Sequence, residues 1–287
     1  MTHTKAKTFT DDAALLTMHD ISGSGNAQIG ILLLNRPASA NALSADLMAT
    51  ITRHLQSVQE NPRCRLLVLS AKGKHFSAGA DLNWMKASAA LSRQENVADA
   101  NRLTEMFESL ANSKIPTLGV IRGAAYGGAV GLTACCDISI AVDSARFCLS
   151  EARLGIAPAV IMPYLSRKML PGHLRRNAMT ARVFTGAEAL ENGLVDVLAA
   201  ESQVDDVVRQ EINGLLSCGP KALTCIKSLL DEVRHQGQRQ GPYTAETIAT
   251  LRTSSEGQDG LAAFFAKAPA PWSISVSDTW SFNALCS

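Results

Sequence analysis

The sequence predicts an α/β fold with a helical C-terminal region, and three observations point to it. Hydrophobic residues make up 46% of the 287 residues while aromatics supply only 5%, a balance that suits a core built on aliphatic side chains. Short apolar runs recur along the chain, and several lead through a turn of small residues into a helical pattern. From Pro158 onward the pattern is mostly helical. A chain this long can bury a large core. The expected division is a strand–helix core over residues 1–198, a helical C-terminal region over 199–272, and a tail over 273–287. The tail has no clear periodicity and is expected to lack order.

Taken in order, Leu15 to Ile21 and Ile29 to Leu34 read as a β-hairpin around the turn formers Ser22-Gly23-Ser24-Gly25-Asn26. Arg36-Pro37 ends the second strand. Ser44 caps a helix running through Gln59, with Leu47, Met48, Ile51, Leu55 and Val58 as its apolar stripe. Leu66 to Leu69 is a short buried strand. His75-Phe76-Ser77-Ala78-Gly79-Ala80-Asp81 is a small-residue turn into a helix that Asp81 can cap. Val97 to Ala111 is amphipathic, with Leu103, Met106, Phe107 and Leu110 on one face. Thr117 to Ile121 is a strand entering Val120-Ile121-Arg122-Gly123-Ala124-Ala125-Tyr126-Gly127-Gly128, where a second helix opens. Strands follow at Asp137 to Val142 and Arg146 to Leu149, the latter ending in Ser150-Glu151. Helices follow from Phe184-Thr185-Gly186, over Val204 to Ser217, Pro220 to Val233 and Tyr243 to Ser254.

Composition narrows the function classes. Net charge is +1, so no electrostatic case exists for nucleic acid or an anionic membrane. Arg167-Lys168 and Arg175-Arg176 are the nearest approach to a basic cluster and read as solvated helix faces. The seven cysteines are odd in number and scattered, which suits buried thiols in a reducing compartment. Met1 to Asp12 lacks the apolar core of a signal peptide, and no apolar run reaches the roughly 18–20 residues that span a bilayer. A cytoplasmic protein is expected. No H-E-x-x-H and no paired C-x-x-C suggest a metal, and the phosphate-loop, G-x-G-x-x-G and G-x-S-x-G motifs are absent. The six histidines fall in loops or on polar helix faces and read as surface residues.

What remains is two small-residue turns, each opening a helix, and one acid at a strand end. Glycine lets backbone approach a ligand closely, and the first N–H groups of a helix are unpaired at its positive end. N–H groups near Ala80 and Gly128 could converge on one oxygen that gains negative charge, with Glu151 as general acid or base. The same small residues would equally let a helix pack tightly on a sheet.

These stretches resemble the enoyl-CoA hydratase/isomerase (crotonase) family. The resemblance lies in Leu34-Asn35-Arg36-Pro37…Asn41-Ala42-Leu43, in Phe76 to Leu82 and in Gly123 to Gly128. Phe184-Thr185-Gly186, Gly193-Leu194-Val195 and Pro220-Lys221-Ala222-Leu223 extend it. It implies a spiral of ββα turns whose C-terminal helices form trimers or dimers of trimers. It also implies an acyl-CoA thioester substrate, with no metal and no cofactor beyond the coenzyme A of that substrate. By resemblance the N–H groups of Ala80 and Gly128 hold the thioester oxygen and Glu151 moves protons, so these three are the catalytic set. Ala78, Asp81, Leu82, Tyr126, Gly131 and Lys267 are assigned to substrate binding, and Trp84, Met85, Tyr126 and Val160 to the pocket wall.

Hydratases of the family commonly carry a second glutamate three residues after the double glycine, and here that position is Gly131. Asp81-Leu82-Asn83-Trp84-Met85, Phe147-Cys148-Leu149-Ser150-Glu151 and Leu154 to Ile161 resemble a narrower branch, the bacterial 3-methylglutaconyl-CoA and isohexenylglutaconyl-CoA hydratases. Their substrates bring a carboxylate of their own. A second glutamate would repel it, so Gly131 is expected to remove that charge and to make room. The expected activity is hydration of a branched, carboxylated 2-enoyl-CoA. The alternatives are a Δ3,Δ2-enoyl-CoA isomerase using the single glutamate, or a non-catalytic acyl-CoA- or RNA-binding relative. A basic residue frequent after Arg-Pro in relatives is replaced by Ala38-Ser39, and the family's C-terminal Glu-Lys-Arg is reduced to Ala266-Lys267-Ala268, which leaves Lys267 as the C-terminal candidate for a CoA phosphate.

Overall fold

A computed structural model describes residues 7–11, 13–21, 26–236 and 241–286. The hairpin turn formers Ser22 to Gly25 lie outside the described residues. The main sheet has seven strands in the order β1-β2-β3-β4-β5-β7-β10. They are β1 (Lys7–Asp11), β2 (Ala14–Asp20), β3 (Gln28–Leu34), β4 (Cys64–Ala71), β5 (Thr117–Ile121), β7 (Ile138–Val142) and β10 (Val197–Ala199). The first three pair antiparallel and the rest parallel. A three-stranded sheet holds β6 (Ala124–Tyr126), β8 (Arg146–Cys148) and β9 (Val183–Thr185). Central β3 is buried along its whole length, as a strand covered on both faces requires.

One face of the main sheet is covered by α1 (Ala45–Glu60), α3 (Arg93–Ala111) and α4 (Gly128–Cys135). α1 starts where Ser44 accepts a hydrogen bond from the Leu47 N–H. α4 is apolar all round and nearly all of it is buried, the pattern of a helix inside a core. α2 (Leu82–Ala89) stands beside α3 and buries none of its residues. α5 (Met162–Lys168), α6 (Pro171–Thr180) and α7 (Gly186–Glu191) close the core.

The opposite face is covered by α8 (Val204–Ser217), through Val204, Val208, Ile212 and Leu216 against Ile29, Ile31, Val68 and Val120. α8 therefore belongs to the core, and the helical extension begins after it, with α9 (Pro220–Gln236), α10 (Gly241–Thr253) and α11 (Ser255–Phe265). The tail departs from expectation. It returns to the main sheet, buries Val276 and Phe282, and ends in α12 (Phe282–Cys286). Its order comes from distant partners: Asn213 and Asp205 on α8 accept from the Val276 and Asn283 N–H groups, and Arg122 lies over the Phe282 ring.

All seven cysteines are free thiols, and Cys64, Cys135, Cys136 and Cys148 are buried. The histidines are less uniform than expected. His54 is buried on α1 with its ring nitrogen 3.3 Å from the Ala14 carbonyl, and His19 lies half-buried in β2. Among the described residues no helix is long and apolar enough to cross a membrane.

Candidate active site

Two backbone turns run side by side to form the site. Ser77 donates its N–H to the Ala124 carbonyl and accepts from the Tyr126 N–H, both at 3.0 Å. Gly79 lies against Tyr126 with φ +98°, and a Cβ there would sit 3.0 Å from the Tyr126 carbonyl oxygen. Glycine is required for both reasons.

The first turn is held from below by side chains. Asn41, fully buried with φ 54°, donates to the Lys72 and His75 carbonyls at 2.9 and 2.8 Å and accepts from the Arg36 N–H at 2.7 Å. Arg36 donates to the Ala42 carbonyl at 2.6 Å and pairs with Asp81 at 3.1 Å. Asp81 also caps α2, accepting from the Asn83 and Trp84 N–H groups at 2.9 and 3.3 Å. Burial pushes the Asp81 carboxyl upward, but Arg36 and these two N–H groups outweigh it and hold the pKa below its ordinary value. Asp81 and Arg36 thus fix the loop. The Leu43 N–H bonds the Gly79 carbonyl and the Asp81 N–H bonds the Leu43 carbonyl, which turns the intervening Ala80 N–H the other way.

The second turn pivots on Gly127, at φ 53° and ψ −120°, whose N–H donates to the Cys148 carbonyl at 2.8 Å. Gly128 is then the first residue of α4, where an N–H has no partner within the helix. Among the described residues neither the Ala80 nor the Gly128 N–H donates a hydrogen bond within the protein.

The acid arrives on β8. Glu151 opens a short 3-10 turn closed by Gly155 in the left-handed conformation. Its Oε1 lies 3.3 Å from where a Cβ on Gly127 would stand, so the bare glycine is what admits the carboxylate. Oε2 is buried with no hydrogen-bond partner. Burial raises the carboxyl above its ordinary range, against a smaller downward pull from its own backbone N–H. A carboxyl of raised pKa with one oxygen left unpartnered is suited to taking and returning a proton.

Ala80, Gly128 and Glu151 line one cavity of about 490 Å³. Its wall is mostly apolar, with Leu43, Trp84, Met85, Leu103, Val160 and Ile161, and with Ser88, Asn96 and Asp99 as further polar groups. Trp84, Met85 and Val160 stand where the sequence places them. Tyr126 does not. It borders a separate cavity with Lys74, His75, Arg122 and Arg146, because residues alternate faces along β6. Ala78 and Leu82 are exposed and outside the cavity lining, and Lys267 is exposed beyond α11.

Gly131 needs a larger correction. It is buried within α4, and a Cβ there would meet Ile161 Cγ2 at 2.3 Å and Phe107 Cε1 at 2.9 Å. Ile161 fills the space instead, so glycine here opens no room for substrate. The packed wall of Ile161 and Phe107 leaves no space for a side chain at this position.

The family is now decided by comparison. The profile of the enoyl-CoA hydratase/isomerase family matches residues 24–274. The chain belongs to that family. An enoyl-CoA hydratase of Alternaria alternata is 30% identical over 239 residues, 81% of this chain and 77% of that protein. A peroxisomal Δ(3,5)-Δ(2,4)-dienoyl-CoA isomerase of Arabidopsis thaliana is 29% identical over 265 residues, covering 86% and 93%. The crystal structure of an enoyl-CoA hydratase from Shewanella pealeana superposes with TM-score 0.83 at 37% identity, covering 90% of this chain and 95% of that one. Hydratase-type enzyme chemistry and the crotonase fold follow for this family member.

Sequence reasoning missed Asn41 and Arg36 as the supports of the first turn and Ile161 as the occupant of the space before Gly131. The Arg-Pro…Asn spacing was the available signal for the first two. For Ile161, thirty residues from its glycine, no local signal exists.

Proposed function

We propose that the protein hydrates a branched, carboxylated 2-enoyl-CoA of the 3-methylglutaconyl or isohexenylglutaconyl type, without any cofactor beyond the substrate's own coenzyme A. The observation that supports this most is the Glu151 carboxylate, with its Oε2 buried and unpartnered, sharing one apolar cavity with two free N–H groups. The thioester oxygen accepts from the Ala80 and Gly128 N–H groups. Glu151 takes a proton from water as its oxygen adds to C3, and the electron pair moves to the thioester oxygen as an enolate held by those N–H groups. Protonated Glu151 then returns its proton to C2. One carboxylate performs both transfers.

No lysine or arginine lines the cavity among the described residues. An unpaired carboxylate in an apolar wall is costly, so the acid end of the substrate sits at the cavity mouth, in water or against a neighbouring copy. The exposed Ile226, Leu230, Leu261, Phe264 and Phe265 of α9 and α11 fit a face that packs on further copies in a trimer or dimer of trimers.

The cation-free wall favours one second reading. A neutral 3-enoyl-CoA would suit it, with Glu151 moving a proton from C2 to C4 as a Δ3,Δ2-isomerase. Absorbance of the conjugated thioester separates the two. Loss of conjugation with 3-methylglutaconyl-CoA, absent with 3-methylcrotonyl-CoA, supports the proposal. Gain of conjugation with a 3-enoyl-CoA and silence with both 2-enoyl thioesters would replace it by the isomerase.

A further inference from the structure

α2 lies over the active-site cavity and packs on the core through Trp84. It supplies Trp84, Met85, Ser88 and Ala89 to the cavity wall, while none of its residues is buried. Its first turn is fixed by Asp81. Near its other end, Ser88 Oγ donates to Asp99 Oδ2 at 2.9 Å. Asp99 is 5% exposed, on α3, and its other oxygen accepts from Arg102 at 2.5 Å.

A carboxylate is a costly choice for a mostly apolar wall. An aliphatic residue would line the cavity without that cost. The carboxylate gives what an aliphatic side chain cannot, a directional bond from the rigid helix to the exposed one. α3 is rigid because Met106, Phe107 and Leu110 anchor it in the core.

We propose that Asp99 is a positioning residue that pins α2 through Ser88 and thereby limits the bulk of the acyl chain the enzyme accepts. The inference rests on the acyl-CoA reading above. Because only the cap residue Asp81 separates Ala80 from α2, a shift of α2 also reaches the Ala80 N–H. An acyl chain that pushes the helix outward is penalised at the reacting oxygen as well as at the wall.

Ser88→Ala removes the bond at a site that is not deeply buried, and Asp99→Leu removes it from the other side. Asp99→Asn keeps an acceptor for Ser88. Two readouts are needed: amide hydrogen exchange over residues 82–89 in the free protein, and the ratio of kcat/KM between a compact and a bulky branched 2-enoyl-CoA. Exchange should rise about tenfold in Ser88→Ala and Asp99→Leu, as loss of a hydrogen bond to a charged group implies. The kcat/KM ratio should move toward the bulky substrate by a similar factor, with Asp99→Asn close to wild type in both. Unchanged exchange in Ser88→Ala overturns the pin, and raised exchange with an unchanged ratio overturns its role in selectivity. If wild type turns over no enoyl-CoA, the functional reading fails, while the exchange measurement still judges the pin.

Discussion

Replacing Gly131 by alanine tests the packing that excludes a second carboxylate. Glycine inside a helix costs about 1 kcal/mol relative to alanine, so Gly131→Ala ought to stabilise the protein if space allowed. Space is absent. The new Cβ would stand 2.3 Å from Ile161 Cγ2, 2.9 Å from Ile161 Cβ and 2.9 Å from Phe107 Cε1, against the usual carbon contact of roughly 3.5–4.0 Å. Ile161 and Phe107 are themselves buried in the core, so neither can swing into solvent. Overpacking of this kind costs about 1–3 kcal/mol, enough to offset the helix gain. Removing Ile161 Cγ2 by Ile161→Ala relieves the worst contact. In a double-mutant cycle followed by thermal unfolding, Gly131→Ala should lower Tm in the wild-type background and lower it less in the Ile161→Ala background, where the contacts with the remaining Cβ and with Phe107 Cε1 persist. The coupling energy should be about 1–3 kcal/mol. A rise in Tm in both backgrounds would refute the packing argument and return Gly131 to the role of an open position.

Three further outcomes follow from the same geometry. Glu151→Gln removes a carboxylate whose ionisation burial disfavours. The raised native pKa means that wild type loses stability as pH rises through it, so the variant's Tm advantage should be largest above that pKa and vanish below the ordinary 4.5. Arg36→Ala releases the loop that aims the Ala80 N–H, and kcat should fall about 10- to 100-fold, less than outright loss of an oxyanion donor. Gly127→Ala forces a side chain to φ 53° and ψ −120° against Glu151 Oε1. It should cost about 1–3 kcal/mol of stability and lower kcat, read by unfolding and by turnover.

Much of the site was legible because its parts are local. Asp81 caps α2 as its position before the helix suggested, and Ala80, Gly128 and Glu151 come together in one cavity. The span of α8, Val204–Ser217, followed from its apolar period. What was not legible depends on contacts between distant residues. Gly131 looks like an opening in the chain and becomes a packed position only because Ile161 closes over it. Tyr126 sits one residue before the turn and faces the other cavity, since strand alternation has a period of two. The tail has no periodicity because specific bonds from Asp205, Asn213 and Arg122 order it in place of an amphipathic face. Asp99 reads as one more polar position on α3, and only its burial and its bonds to Ser88 and Arg102 distinguish it.

The central claim is that Glu151 moves the protons while the Ala80 and Gly128 N–H groups hold the thioester oxygen. The most direct test compares wild type and Glu151→Gln on the hydrated substrate, following conjugated-thioester absorbance and, separately, binding of the product acyl-CoA. The account predicts that turnover falls by about 10²–10⁴, the share a positioned acid–base group supplies, while product still binds. Turnover near the wild-type rate in Glu151→Gln would contradict it and move the proton chemistry to another residue.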